Sequence, residues 1–251
     1  TIILRDEPVA VNDTLISRGG VTDIRAAVSY TASPRLAFGL GFHLLTGTNR
    51  IQYRRHFSDS TYTAVALRNE LSMSGPGVSA GFSALPVRGV RLAGMVRWDG
   101  DLHYYKDSTR LDDIPLPITV AGGIQIQAGP RLLLAGQALR RNWSTANEFV
   151  VSEGGIGARN TTEGSFGLEW IRNSRRPSSF PLRLGLRYAQ LPFPVVAGQE
   201  GKELQLSFGT GFRFTADRGS LDIALERTWR EDAGSFRERT FMLSVGVGIR
   251  P

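Results

Sequence analysis

The sequence predicts an all-β fold, an antiparallel up-and-down transmembrane β-barrel of about 12 strands in this chain. Three observations carry that expectation. Apolar residues recur with period 2 almost throughout, and period 3.6 is hard to find. The alternating segments run about 10 to 15 residues, where a tilted membrane strand needs about 9–11 and a globular strand averages about 5–6. The connections alternate short and long, as tight turns at one end of a barrel and larger loops at the other require.

The strands follow in order. The first runs from about Val21, and residues 1–11 are expected to add one more before it. Two long strands, about 35–57 and 62–85, are needed for all short turns to fall on one side. In VRLAGMVRW, Val90, Leu92, Gly94, Val96 and Trp98 oppose Arg91, Ala93, Met95 and Arg97. In PITVAGGIQIQ, Ile118, Val120, Ile124 and Ile126 oppose Thr119, Gly123, Gln125 and Gln127. PLRLGLRYA sets Leu182, Leu184, Leu186 and Tyr188 against Arg183, Gly185 and Arg187. ELQLSFGTGFRF and GSLDIALE repeat the pattern at 203–214 and 219–226. The last strand sets Phe241, Leu243, Val245, Val247 and Ile249 against Met242, Ser244, Gly246, Gly248 and Arg250. Short turns are expected at 33–35, 86–89, 128–131 and 216–219. Long polar loops are expected near 101–114, 146–161 and 191–202, with 173–181 intermediate. The 29 glycines sit largely inside these runs. Glycine weakens an ordinary sheet interior, so its abundance on the polar faces points to a lumen that must stay narrow-walled.

Composition excludes several function classes. The chain of 251 residues carries a formal charge of +7, and only Lys106 and Lys202 of its 30 basic residues are lysines. Those bases are scattered, with no basic run and no nucleic-acid motif, so no nucleic-acid partner is expected. The absence of cysteine excludes disulfides and thiolate metal sites. His43, His56 and His103 show no metal spacing, and no cofactor motif is present. Asp99, Asp101, Asp107, Asp112 and Asp113 cluster near one loop but lack calcium-loop spacing. Gly77-Val78-Ser79-Ala80-Gly81 matches a nucleophile-elbow pattern, yet a strand continues after it where that motif needs a helix. No enzyme activity, metal or cofactor is expected.

The charges opposite the apolar stripe are more informative. Arg91, Arg97, Glu169, Arg183, Arg187, Glu203, Arg213, Asp222 and Glu226 all occupy that face. A charge in lipid at the midplane costs about 2–4 kcal/mol, so these side chains are expected to face the lumen and pair across strands. They serve either as structural ion pairs or as a polar path. Gly75, Pro76 and Gly77 interrupt a long strand, because proline donates nothing to the ladder and glycine permits a bulge. They mark a bulge at the rim or a kink that opens a lateral gap. Leu191, Phe193 and Val195 form an apolar loop, packed on the mouth or docking a hydrophobic solute. Arg54, Arg55 and Arg110 suit bidentate contacts to lipopolysaccharide phosphates.

FPLRLGLRYAQLPF (180–193), ELQLSFGTGFRF (203–214) and GSLDIALERTWRE with FRERTFMLSVGVGI (219–249) resemble the FadL-type outer-membrane transporters of fatty acids and aromatic hydrocarbons. The resemblance implies about 14 strands in the complete protein, an N-terminal plug, lateral release through a kinked strand and residence in the bacterial outer membrane. Residues 1–251 are then one barrel domain lacking the plug and the first strands. The expected function is passive uptake of small hydrophobic molecules. A structural barrel, or a subunit of a larger membrane assembly, is the alternative. Expected partners are outer-membrane lipid, lipopolysaccharide, a hydrophobic solute and the barrel-assembly machinery, with protein partners otherwise unknown.

Overall fold

The computed structural model describes residues 10–59, 61–107, 109–171, 179–194, 200–214, 219–232 and 236–249. Thirteen strands dominate: β1 (Val11–Ser33), β2 (Leu36–Phe57), β3 (Val65–Val87), β4 (Val90–Asp99), β5 (Asp101–Lys106), β6 (Thr109–Pro115), β7 (Thr119–Gln127), β8 (Leu132–Arg141), β9 (Thr161–Trp170), β10 (Ser179–Gln190), β11 (Gly201–Phe214), β12 (Gly219–Asp232) and β13 (Phe236–Ile249). They form one sheet in the order β1-β2-β3-β4-β7-β8-β9-β10-β11-β12-β13, and the β5–β6 hairpin is attached to β3. Neighbours along the path are consecutive apart from that hairpin, which is the up-and-down topology of a transmembrane barrel. Among the described residues, the end strands β1 and β13 do not pair with each other.

The chain divides into two compact units. One comprises the described residues of Ala27–Gly41, Ser79–Trp98 and Pro117–Pro251. Its ladders pair antiparallel, and β4–β7, β7–β8, β8–β9, β9–β10, β11–β12 and β12–β13 keep one register throughout. The β10–β11 ladder has one irregularity, between Ser179 and Leu182, where Pro181 cannot donate. The short turns knit one end together. Leu85 N–H donates to Arg35 O, Gln127 N–H to Gly89 O and Ile171 N–H to Arg131 O, at 2.7–2.8 Å. Gly89 has φ +83°, which its two-residue turn demands and a side chain would resist. The turn at 216–219 lies mostly outside the described residues.

Among the described residues, the apolar stripe has no second layer of protein over it. Phe241, Leu243 and Val245 are 62%, 68% and 61% exposed, and further exposed leucines and phenylalanines line β2, β10 and β11. Continuous exposure on this scale marks a surface that meets something other than water. No helix of the described residues is long and apolar enough to cross a membrane.

The other unit comprises the described residues of Thr1–Ala26, Phe42–Val78 and Asp99–Leu116. It corrects one expectation: 101–114 is a hairpin and not a polar loop. Leu102 alternates with polar neighbours and packs with Leu45 and Met73 in a small buried core, against which Tyr104, Ile114 and Leu116 rest. The hairpin pairs Ser72, Met73 and Ser74 of β3 with Tyr105, Tyr104 and His103. A second correction falls at 146–161, where a 3-10 turn at Trp143–Ala146 leads into a short helix, α1 (Asn147–Ser152). Asn147 Oδ1 accepts from Ala158 N–H at 2.9 Å and folds the following segment back.

β4 and β7, with 10 and 9 residues, have the length of a crossing, and the β5–β6 hairpin is the stretch of chain between them. In it, Arg110 donates to both oxygens of Asp113, by Nε at 2.8 Å and by Nη2. His103 Nδ1 lies 2.8 Å from the same carboxylate. The guanidinium, and after it the imidazole, hold the Asp113 carboxyl below the usual range. A carboxylate with a depressed folded pKa contributes stability above its unfolded pKa and loses it as pH falls through the folded value. Hairpin protection from protease is therefore expected to fall once pH drops below about 4, and Asp113→Asn should remove that pH dependence in limited proteolysis.

Candidate functional site

The polar face of β4–β13 is organised in rows fixed by the register. One row reads Arg91, Gln125, Ala135, Gly167, Gly185, Ser207 and Glu226 from β4 to β12. Its middle members have little or no side chain. Here the face carries a depression of about 450 Å³ lined by Arg91, Gln125, Gly167, Gly185, Arg187 and Ser207 among others. A Cβ on Gly167 would come no closer than 3.9 Å to its nearest neighbour, so this glycine leaves real space.

Ionic tiers flank that row. Towards the short turns, Arg183 donates to Glu169 at 2.6 Å and to Asp222 at 2.5 Å. Arg183 stands on β10 and Asp222 on β12, with β11 between them. Gly209 and Gly211 of β11 leave the path open, and a Cβ on Gly211 would overlap the Asp222 carboxylate. Towards the long connections, Arg187 donates to Glu163 at 2.7 and 2.9 Å and also to Glu203. Arg230 donates to the other oxygen of Glu203 at 2.9 and 2.6 Å and to Glu238 at 3.2 Å. Arg141 lies 3.5 Å from Glu163. Glu203 is 9% exposed and bridges two arginines, as a buried carboxylate must. Glu226 accepts from Gln205 Nε2 at 2.6 Å.

The remaining candidates lie elsewhere. Arg97 is opposite Thr119 on the same face of β4. Arg213 is opposite Ser220 near the short-turn end of β11. Gly75, Pro76 and Gly77 are on β3, where the strand passes without a break. Gly100 N–H donates to Pro76 O at 2.9 Å, filling the position between the end of β4 and the start of β5. A Cβ on Gly75 would press on Asp101 O, and one on Gly77 would overlap Asp99 Oδ1 and crowd His43. The His43 side chain, 2% exposed, lies 3.0 Å from Asp23. Among the described residues no group of acids and histidines can hold a metal ion. Of the apolar loop, Leu191 N–H donates to Gly201 O at 2.8 Å, and Phe193 meets Trp143 edge-on at 5.2 Å. Val195 lies outside the described residues. Arg55 grips Asp13 through two bonds of 2.8 and 2.7 Å, and Arg110 is engaged by Asp113.

Sequence reasoning missed Glu163, Arg230, Glu238 and Arg141. The signal was present. Glu163 shares parity with Glu169, and Arg230 shares it with Glu226, but both stand beyond the clean part of the alternation.

No family model matches the sequence, and no curated protein matches it. Solved structures do match. The CymD monoaromatic hydrocarbon channel superposes with a TM-score of 0.62 at 15% identity, covering 96% of this chain and 77% of that one. A Pseudomonas aeruginosa FadL homologue gives 0.62 at 15% identity over 86% of this chain and 61% of that one. The Ralstonia pickettii toluene transporter TbuX gives 0.64 at 14% identity over 93% and 68%. The chain thus spans roughly 61–77% of the length of these proteins. It has the fold of the FadL-type channels, an antiparallel transmembrane β-barrel architecture.

Removing one member of the tier around Arg187 weakens it without leaving a bare charge. Arg187→Met takes one cation from Glu163 and one from Glu203, which keep Arg141 and Arg230, and should destabilise the fold by about 1–2 kcal/mol, below the 3–5 of a broken buried pair, Arg187 being one-third exposed. Unfolding in detergent, followed by the loss of heat-modifiable gel mobility, measures this.

Proposed function

We propose that this chain forms the wall of a non-enzymatic channel in the bacterial outer membrane for small hydrophobic molecules such as alkylbenzenes and fatty acids. The observation that carries the reading is the depression at Gly167, Gly185 and Ser207. It is neutral at its centre and lies between tiers whose charges already satisfy one another. A paired tier attracts ions weakly, and a surface of glycine, alanine and serine presents backbone and methylene to a passing solute. Solute would first touch apolar loop residues such as Phe193, then rest weakly in the depression, then leave sideways into lipid. The names of the solved neighbours, hydrocarbon channels and a toluene transporter, support the same class.

The density of ion pairs favours a second reading, a rigid barrel that serves an assembly and passes nothing. Reconstitution separates the two. Proteoliposomes are loaded with labelled alkylbenzene or fatty acid, and in parallel with a charged solute. The channel reading expects flux of the hydrophobic label only. Gly167→Leu fills the depression without a backbone clash and should cut that flux several-fold. Flux of neither label, together with a tightly co-purifying protein, would favour the structural barrel. Rapid flux of the charged solute would make it a porin.

A further inference from the structure

The apolar face of β12 reads Leu221, Ile223, Leu225, Trp229, with Arg227 standing where another leucine would fit. Its neighbours across the ladders are Leu206 on β11 and Phe241 on β13. The guanidinium lies 4.4 Å from the Phe241 ring centroid and 5.0 Å from that of Trp229. Its Nε is buried and has no hydrogen-bond partner. An arginine on the lipid side is costly at the midplane, by about 2–4 kcal/mol, and nearly free at the interface. Trp229 and Tyr188 share the adjoining row through Leu204, and such an aromatic row marks the interface. Arg227 therefore sits one row inside it, at the depth where headgroups meet acyl chains.

The surroundings are positive. Arg239 is opposite Trp229 on the same face. Glu231 is the carboxylate of this face of β12, and Arg237 holds it at 3.1 Å, with Lys202 across the ladder. Next to Arg227 runs a groove of about 550 Å³ walled by Phe166, Leu186, Leu206, Phe208, Leu225 and Phe241. Among the described residues lining it, Arg227 alone is charged. The arginines read from sequence as loop ligands of phosphate differ from it: Arg55 stands on β2 and Arg110 on β6, and both are already bound to carboxylates.

We propose that Arg227, with Arg239, binds the phosphate of a phosphorylated acyl lipid of the surrounding membrane, whose chain occupies the groove. The two terminal nitrogens of the planar guanidinium give the phosphate a bidentate contact, Nε being itself buried. The rings of Phe241 and Trp229 hold the guanidinium in the orientation that this contact needs.

Native mass spectrometry of the full chain tests the site, with mixed micelles carrying phosphatidate, the same micelles carrying diacylglycerol, and inorganic phosphate as competitor. The wild-type chain should bind phosphatidate at least about tenfold more tightly than diacylglycerol, as one charge-assisted bond implies. Arg227→Met should abolish the preference, and Arg227→Lys should keep part of it. Equal binding of the two lipids, or a preference that survives Arg227→Met, overturns the proposal. So does full competition by millimolar inorganic phosphate, which would identify a free-anion site. Should Arg227→Met fail to fold, Arg227→Lys against Arg239→Met on folded protein carries the same decision.

Discussion

Hydrocarbon offers a backbone nothing to bond with. Each N–H and C=O that enters it must find its partner inside the sheet, and most of this chain follows from that constraint. It forces long, continuous antiparallel ladders, which β7 to β13 supply with a single irregularity among the described residues. It confines proline to places where a missing donor is harmless. Pro181 stands at the bulge that opens β10, and Pro76 offers only its carbonyl, which Gly100 meets. It also assigns every charge a side, since period 2 leaves each residue either on the apolar face or opposite it.

Once the charges share a face they must be reconciled there, and the small residues make that possible. An arginine needs room to lie across a neighbouring strand. Gly209 and Gly211 give Arg183 that room, so one guanidinium ties β9, β10 and β12 together across β11. Where no arginine crosses, the same economy of side chains leaves a neutral hollow. The stiffness of the wall and the space beside it thus have one origin, the glycine-rich polar parity of the strands.

Much of this was legible in the sequence. The demand that all short turns fall on one side located β2 and β3 as two strands of unusual length, and alternation put all nine candidate charges on the polar parity. What escaped it was of two kinds. The β5–β6 hairpin was hidden because Asp101, Lys106, Thr109 and Asp112 swamp the alternation of Leu102 and Tyr104. The same happened at α1, whose six residues are too few for a helical period to show. Partnership was hidden for a deeper reason: whether Arg187 meets Glu163 depends on the stagger of two strands, and no single strand encodes its stagger. Arg227 escaped because it stands on the parity that carries the leucines of β12.

The tiers bear on that stagger. A strand that slipped by two residues would still turn grease to grease and glycine to glycine, and alternation would not object. The charges would. In a β10 displaced by two against β9 and β11, Arg183 leaves its place opposite Glu169, and the two arginines no longer both reach the acids they hold in the native register. Electrostatics therefore works here as a proofreader of assembly: the hydrophobic pattern selects which side of the strand faces oil, and the salt-bridged arginines reject the out-of-step pairings that pattern would accept.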